Sequence, residues 1–151
     1  MIHIRLATEE DIPKIIELYD ELTITTSQIE KSRSPSLDHY KRVFAEIRSD
    51  HRQELLVAED QGEVVGTLVF LLAPNLSHNG TPWAFLENLI VTEKHRRKGV
   101  ARSLLEYAVG RAREAGCHKV QLCSGRTREE AHQLYRSLGF EASAYGFRLY
   151  F

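Results

Sequence analysis

Cysteine is scarce in this chain, with only Cys117 and Cys123 among 151 residues. Two thiols six positions apart, with no second pair, exclude a disulfide framework and do not match a zinc spacing. The expectation is reduced, mostly buried thiols in a cytoplasmic setting. The seven histidines are scattered without a ligand pattern, so no metal is expected. An excess of one charge is also missing. Twenty Lys and Arg stand against 21 Asp and Glu, a net charge of −1, which removes the global electrostatic case for nucleic acid or an anionic membrane. No apolar run is long enough to span a bilayer, and Met1 to Arg5 carries no long apolar core of a signal peptide. There is no internal repeat and no low-complexity tract. What remains is 42% apolar and 27% charged, ordinary for a globular protein. The length suits one domain, residues 1–151, with a core of its own.

Hydrophobic periodicity divides the chain. Ile2, Ile4 and Leu6 alternate with polar residues and predict a strand. Thr8 with Asp11 resembles a capping box opening a helix whose stripe is Ile12, Ile15, Ile16, Tyr19 and Leu22. Thr23 to Pro35 is polar and reads as a loop. A second helix is predicted from Ser36 to about Ser49, with Tyr40, Val43, Phe44 and Ile47 inward. Glu54 to Glu59 and Glu63 to Leu72 predict two strands joined by the hairpin turn Asp60-Gln61-Gly62. After a loop at Pro74 to Pro82, an apolar strand runs from Trp83 to Thr92, interrupted by Glu87 and Asn88. A long helix follows from about Gly99 to Glu114. Val100, Leu104, Ala108 and Ala112 form one ridge, Ala101, Leu105 and Val109 the next, and Gly116 ends it. Lys119 to Ser124 predicts a strand. Thr127 with Glu130 predicts a second capping box, opening a short helix that Gly139 closes. Phe140 to Ser143 and Phe147 to Phe151 predict final strands. The order implies a mixed sheet flanked by helices.

The turn before the long helix breaks a local rule. Helix N-termini carry partial positive charge and unpaired N–H groups, and usually attract Ser, Thr, Asp or Asn caps. Here the four residues before Gly99 are His95, Arg96, Arg97 and Lys98, with no capping side chain and three cations. A phosphate would satisfy the N–H groups, the helix dipole and the arginines together. Gly99 lets a ligand approach the backbone, and Ala101 leaves room beside it. The stretch is neither a Walker A loop nor a Gly-x-Gly-x-x-Gly dinucleotide fingerprint.

Two stretches resemble the GNAT superfamily of N-acetyltransferases. Arg96-Arg97-Lys98-Gly99-Val100-Ala101 is similar to the family's Arg/Gln-x-x-Gly-x-Gly/Ala loop, and it follows the apolar strand end Leu89-Ile90-Val91 at the family's spacing. Ala131-His132-Gln133-Leu134-Tyr135-Arg136-Ser137-Leu138-Gly139-Phe140 is similar to its Ala-x-x-Leu-Tyr-x-x-x-Gly-Phe motif. The order of elements agrees along essentially the whole chain. The resemblance implies an acyl-CoA N-acyltransferase fold: α/β, with a central mixed, mostly antiparallel sheet. It implies acetyl-CoA as co-substrate, its pyrophosphate held by backbone N–H groups from Arg97 to Arg102, with charge from Arg96, Arg97 and Lys98. Leu89, Ile90 and Val91 would pair with the pantetheine arm, beside a bulge whose backbone N–H polarises the thioester carbonyl. Arg128 departs from the family, which often has an acceptor-capable Asn there. Arginine cannot accept a hydrogen bond, so that contact is absent or replaced by a phosphate contact. A homodimer, with the strand ending at Phe151 pairing across subunits, is a further expectation from the resemblance.

The implied reaction needs a neutral amine. Deprotonating a lysine-like amine at pH 7 costs about 4.6 kcal/mol, an α-amine only about 1.4 kcal/mol. Glu87 is the candidate base, because a bare carboxylate inside an apolar strand is costly without a role and many family members carry a glutamate there. Tyr135 is the candidate acid for the departing thiolate, although its place in the stripe Ala131, Leu134, Tyr135 and Leu138 also fits packing. No Ser/His/Asp or Cys/His arrangement is present, which favours direct transfer over an acyl-enzyme. The acceptor, a small-molecule or peptide amine, is not legible. Two alternatives remain: a catalytically degenerate domain that senses acetyl-CoA, and an anion-binding α/β domain of another kind.

Overall fold

The alternating opening residues form β1 (Ile2–Leu6) in the computed structural model, which describes residues 1–22, 30 and 33–151. Next come α1 (Ile12–Leu22), α2 (Leu37–Ser49), β2 (Gln53–Asp60), β3 (Glu63–Ala73) and β4 (Trp83–Val91). The chain closes with α3 (Val100–Glu114), β5 (Val120–Leu122) and α4 (Glu129–Ser137). The strands lie side by side in chain order, β1 to β4 antiparallel and β5 parallel to β4. This is the mixed, mostly antiparallel sheet expected, with a core on each face. Leu56, Leu68, Phe70 and Leu86 pack toward α3 and α4, while Val57, Val69 and Ile90 pack toward α1 and α2.

Local chemistry accounts for most element ends. The Thr8 N–H donates to Asp11 Oδ2 at 2.7 Å, so the expected box forms, at the head of a 3-10 turn leading into α1. Burial disfavours the Asp11 carboxylate. Arg5, which donates two bonds at 2.7 and 3.0 Å, together with the Thr8 N–H and hydroxyl, outweighs that and holds the carboxyl below the usual range. The Ser36 hydroxyl caps α2 by accepting from the His39 N–H. Asp60 pairs with Glu63 across a two-residue turn in which Gln61 and Gly62 both have positive φ, the primed geometry that matches strand twist. In α3 the first ridge, Val100, Leu104, Ala108 and Ala112, is fully buried. Gly66 of β3 sets how closely this helix can dock. A Cβ there would lie 3.1 Å from both the Ile90 carbonyl oxygen and Val100 Cγ1. The absence of that Cβ lets the head of α3 sit down on β3 and β4.

Some expectations need correction. Val43 of α2 is exposed, whereas Leu18 of α1, outside the predicted stripe, is completely buried. The Thr127–Glu130 box does not form. α4 starts at Glu129 with Arg128 at the N-cap and no side-chain cap, so Thr127 lies one residue too early for the box, and the Glu130 carboxylate accepts from Arg97 at 2.7 Å instead. β5 is shorter than predicted, and neither expected final strand forms among the described residues. Most of the predicted Thr23 to Pro35 loop lies outside the described residues, as does the Leu22 side chain. Cys123 is exposed and Cys117 partly buried, both as free thiols.

Candidate active site

A bulge in β4 organises the site. The β3–β4 register shifts between the pairs Thr67–Ile90 and Val69–Glu87, and Asn88 takes φ 53°. Asparagine tolerates the left-handed region better than most residues. The extra residue inverts the strand: Ala84 and Leu86 face α3 before it, and Val91 faces α3 after it while Ile90 turns toward α1. Tyr19 of α1 braces the bulge. Burial pushes its phenol pKa up, while hydrogen bonds with Asn88 and Thr67 pull it back. Thr67 is in turn anchored by donating to the Leu56 carbonyl at 2.8 Å.

Beyond the bulge, β4 and β5 separate. Their pairing ends at Leu86–Leu122, so residues 87–91 have no strand partner on the β5 side among the described residues. The gap is a cavity of about 480 Å³. Glu87, Asn88 and Leu89 form one wall, Cys123, Ser124 and Gly125 the opposite wall, and Leu105, Arg128 and Tyr135 its α3–α4 side. Both predicted catalytic side chains therefore meet the same space. Glu87 is not in apolar surroundings as expected; it is exposed and lines the cavity. Ile90 and Val91 have buried side chains, so only their backbone edge could meet a ligand, whereas Leu89 reaches the cavity.

Tyr135 combines packing with a polar end. The residue is only 8% exposed and packs edge-on against Phe140, yet its ring borders the cavity. Burial pushes its phenol pKa up; the positive charge of Arg128 and the neighbouring Ser124 hydroxyl pull it down. Arg128, the residue that departs from the family pattern, thus stands beside the tyrosine.

The basic turn has the predicted lack of a cap. Arg97 and Gly99 have φ of 61° and 84° with Lys98 outside the positive-φ region between them, and no side chain caps α3. Alternation of this kind turns successive N–H groups to one side and makes an anion-binding concavity. The first N–H of this region with a backbone acceptor is that of Ser103, bonded to the Gly99 carbonyl at 3.0 Å. The N–H groups of 97–102 have no protein acceptor among the described residues. The side chains are less free than expected. Arg96 reaches the Val91 carbonyl and Glu21, Arg97 holds Glu130, and Arg102 donates to Ser137 Oγ at 2.8 Å. Exposed pairs of this kind contribute about 0–1 kcal/mol, so a phosphate could displace them.

Residues 145–151 complete the cavity in a way the sequence reading missed. They do not join the sheet. Tyr145, Phe147, Leu149 and Phe151 are 82%, 93%, 82% and 74% exposed. The residues between them are also exposed, Tyr150 by 51%, but Gly146 lies against Cys123, and Arg148 and Tyr150 border the cavity at its rim. A separate hollow of about 470 Å³ near Leu6 and Tyr107 is spanned by the Arg111–Glu54 ion pair and contains none of the predicted groups. Among the described residues, no cluster of three or more His, Cys, Asp or Glu could hold a metal, and no helix is long and apolar enough to cross a membrane.

Comparison with known proteins agrees with this geometry. The model of the acetyltransferase (GNAT) family matches residues 14–140. An N-acetyltransferase of Bacillus subtilis, uncharacterised as to substrate, is 30% identical over 98% of both chains. The L-methionine sulfoximine/L-methionine sulfone acetyltransferase of Salmonella typhimurium is 28% identical over 93% of this chain and 81% of its own. A crystal structure from Bacillus halodurans, described as a transcriptional regulator, superimposes with a TM-score of 0.87 over the full length of both chains at 31% identity.

Proposed function

Because the chain belongs to the acetyltransferase (GNAT) family and is an N-acetyltransferase using acetyl-CoA, we propose that transfer takes place directly in the β4–β5 cavity. The observation that carries this reading is the convergence of Glu87, Tyr135 and the splayed edge of β4 on one space next to an uncapped helix start. The N–H groups of 97–102 hold the pyrophosphate, with Lys98 and Arg97 adding charge. The open edge at Leu89 pairs with the pantetheine arm, and a bulge N–H stabilises the carbonyl oxygen as negative charge develops. The amine nitrogen attacks the acetyl carbon, the carbon–sulfur bond breaks, and the thiolate takes a proton from Tyr135. Glu87, directly or through water, removes the proton the amine must lose. Arg128 sits beside Tyr135 and favours the negative charge that accumulates there.

Glu87→Gln is expected to lower kcat/KM for a lysine-like amine by on the order of 10²-fold or more. An α-amine should be affected less, since it is far easier to deprotonate. An unaltered kcat/KM removes Glu87 as the base. The acceptor is a small amine, in keeping with the amino-acid analogue acted on by the Salmonella relative. We also read residues 1–151 as one domain, and the two free thiols as suited to the reducing cytoplasm.

The exposed face of 145–151 supports self-association, and its occupant is a second copy of this chain. Three aromatic rings and a leucine in a row expose about 600 Å² per copy, so two such stripes meeting on a two-fold axis would bury about 1,200 Å², the lower limit for a stable pair. Sedimentation equilibrium should find a dimer that Phe147→Asp combined with Leu149→Asp converts to monomer. A wild-type monomer at high micromolar concentration refutes the pairing.

A further inference from the structure

The cavity side of 145–151 has a consequence for the acceptor. A Cβ at position 146 would lie 3.1 Å from Cys123 Sγ, so Gly146 lets this extended segment rest directly on the end of β5. With a period of two, that contact places Arg148 and Tyr150 at the rim of the cavity that also holds Glu87. Arg148 has no ion-pair partner among the described residues. Arg5, Arg52, Arg96, Arg97, Arg102 and Arg111 each hold a carboxylate, and of the arginines that hold none among the described residues only Arg128 and Arg148 border the cavity. The other cation on the cavity wall, Arg128, acts on the Tyr135 phenol and so marks the thioester end. The cavity therefore presents the carboxylates of Glu87 and Glu30 and, on a separate element at its rim, a guanidinium that has no ion-pair partner among the described residues.

We infer that the acceptor is an amine that also carries an anionic group, a carboxylate or a phosphate, and that Arg148 binds that group. This rests on the reading of the cavity as the site of acetyl transfer. A guanidinium is charged at every relevant pH and presents paired donors that match the two oxygens of a carboxylate or phosphate. Because Arg148 is exposed at the cavity rim, its effect falls on acceptor binding and is moderated by water.

The test measures thiol release from acetyl-CoA with two matched pairs: an α-amino acid beside its amide, and a phosphorylated amino sugar beside the unphosphorylated sugar. Wild type, Arg148→Gln and Arg148→Lys are compared, which cancels differences in amine basicity. The expected result is a preference of about tenfold to a hundredfold in kcat/KM for the anionic member of one pair, mostly in KM. That preference collapses in Arg148→Gln and is only partly kept in Arg148→Lys. The pair that shows it identifies carboxylate or phosphate. Equal use of neutral and anionic members, persistence of the preference in Arg148→Gln, or rejection of both pairs overturns the inference. Calorimetric titration with acetyl-CoA separates the two levels. If wild type and Arg148→Gln bind the cofactor alike, a failed preference concerns the acceptor alone, whereas no cofactor binding by wild type brings down the site reading as well.

Discussion

Gly99→Val is expected to reduce acetyl-CoA affinity at least a hundredfold while leaving the protein folded. Gly99 adopts φ 84°, where a β-branched residue costs at least about 1–2 kcal/mol. The strain is relieved only by rotating the peptide, and rotation points the N–H groups of the turn away from one another. The concavity of 97–102 would then be lost even though no packing contact is removed, since a Cβ at Gly99 has nothing within 4 Å. The open space cuts the other way for the ligand: the new side chain projects toward the side from which the phosphates must approach. Calorimetric titration measures the affinity, and a melting curve shifted down by only a few degrees shows that the fold has survived. Affinity retained within a few-fold would mean that this turn does not hold the cofactor.

Tyr135→Phe should lower kcat by on the order of 10²–10³ and leave acetyl-CoA affinity nearly unchanged. The ring is buried and packed against Phe140, so phenylalanine keeps the contacts and removes one oxygen. The pH dependence follows from burial, which raises the phenol pKa above its ordinary value of about 10. An acid with a raised pKa stays protonated throughout the physiological range, so activity that depends on it is constant below that pKa and falls only as pH rises through it. Arg128 pulls the pKa back down, so Arg128→Met should move this alkaline fall to still higher pH. In Tyr135→Phe the fall should vanish. Unchanged turnover would leave Tyr135 a packing residue, as its position in an apolar stripe allows.

The legible parts of the molecule are those with local causes. The uncapped, cationic start of α3 could be read because capping rules concern a few adjacent residues, and it sits where predicted. The Val100–Ala112 ridge, the Gln61–Gly62 turn and the Thr8–Asp11 box follow from periodicity, backbone freedom and side-chain reach within a few residues. Tyr135 was found through its motif, since spacing alone could not distinguish packing from chemistry.

Other features depended on distant partners. The Thr127–Glu130 box was a sound local expectation that failed because the helix starts one residue later, with Arg128 at the N-cap, and the Glu130 carboxylate is held by Arg97, 33 positions away. Val43 has the spacing of a core residue but is exposed. Residues 147–151 were expected to form a strand, but they join no sheet among the described residues, and Arg148 and Tyr150 border the cavity instead.

By itself, then, the sequence determined the helices, the hairpin, the uncapped basic turn and the identity of the two candidate catalytic side chains, because each is encoded within a turn or two of chain. Only the tertiary structure decided that Glu87 lines the cavity, that Tyr19 braces Asn88, and that Arg148 joins the same cavity. Those outcomes depend on the β4 bulge, on the end of β4–β5 pairing at Leu122, and on the resting of Gly146 against Cys123. Such contacts join residues far apart in the chain, and no local pattern specifies them.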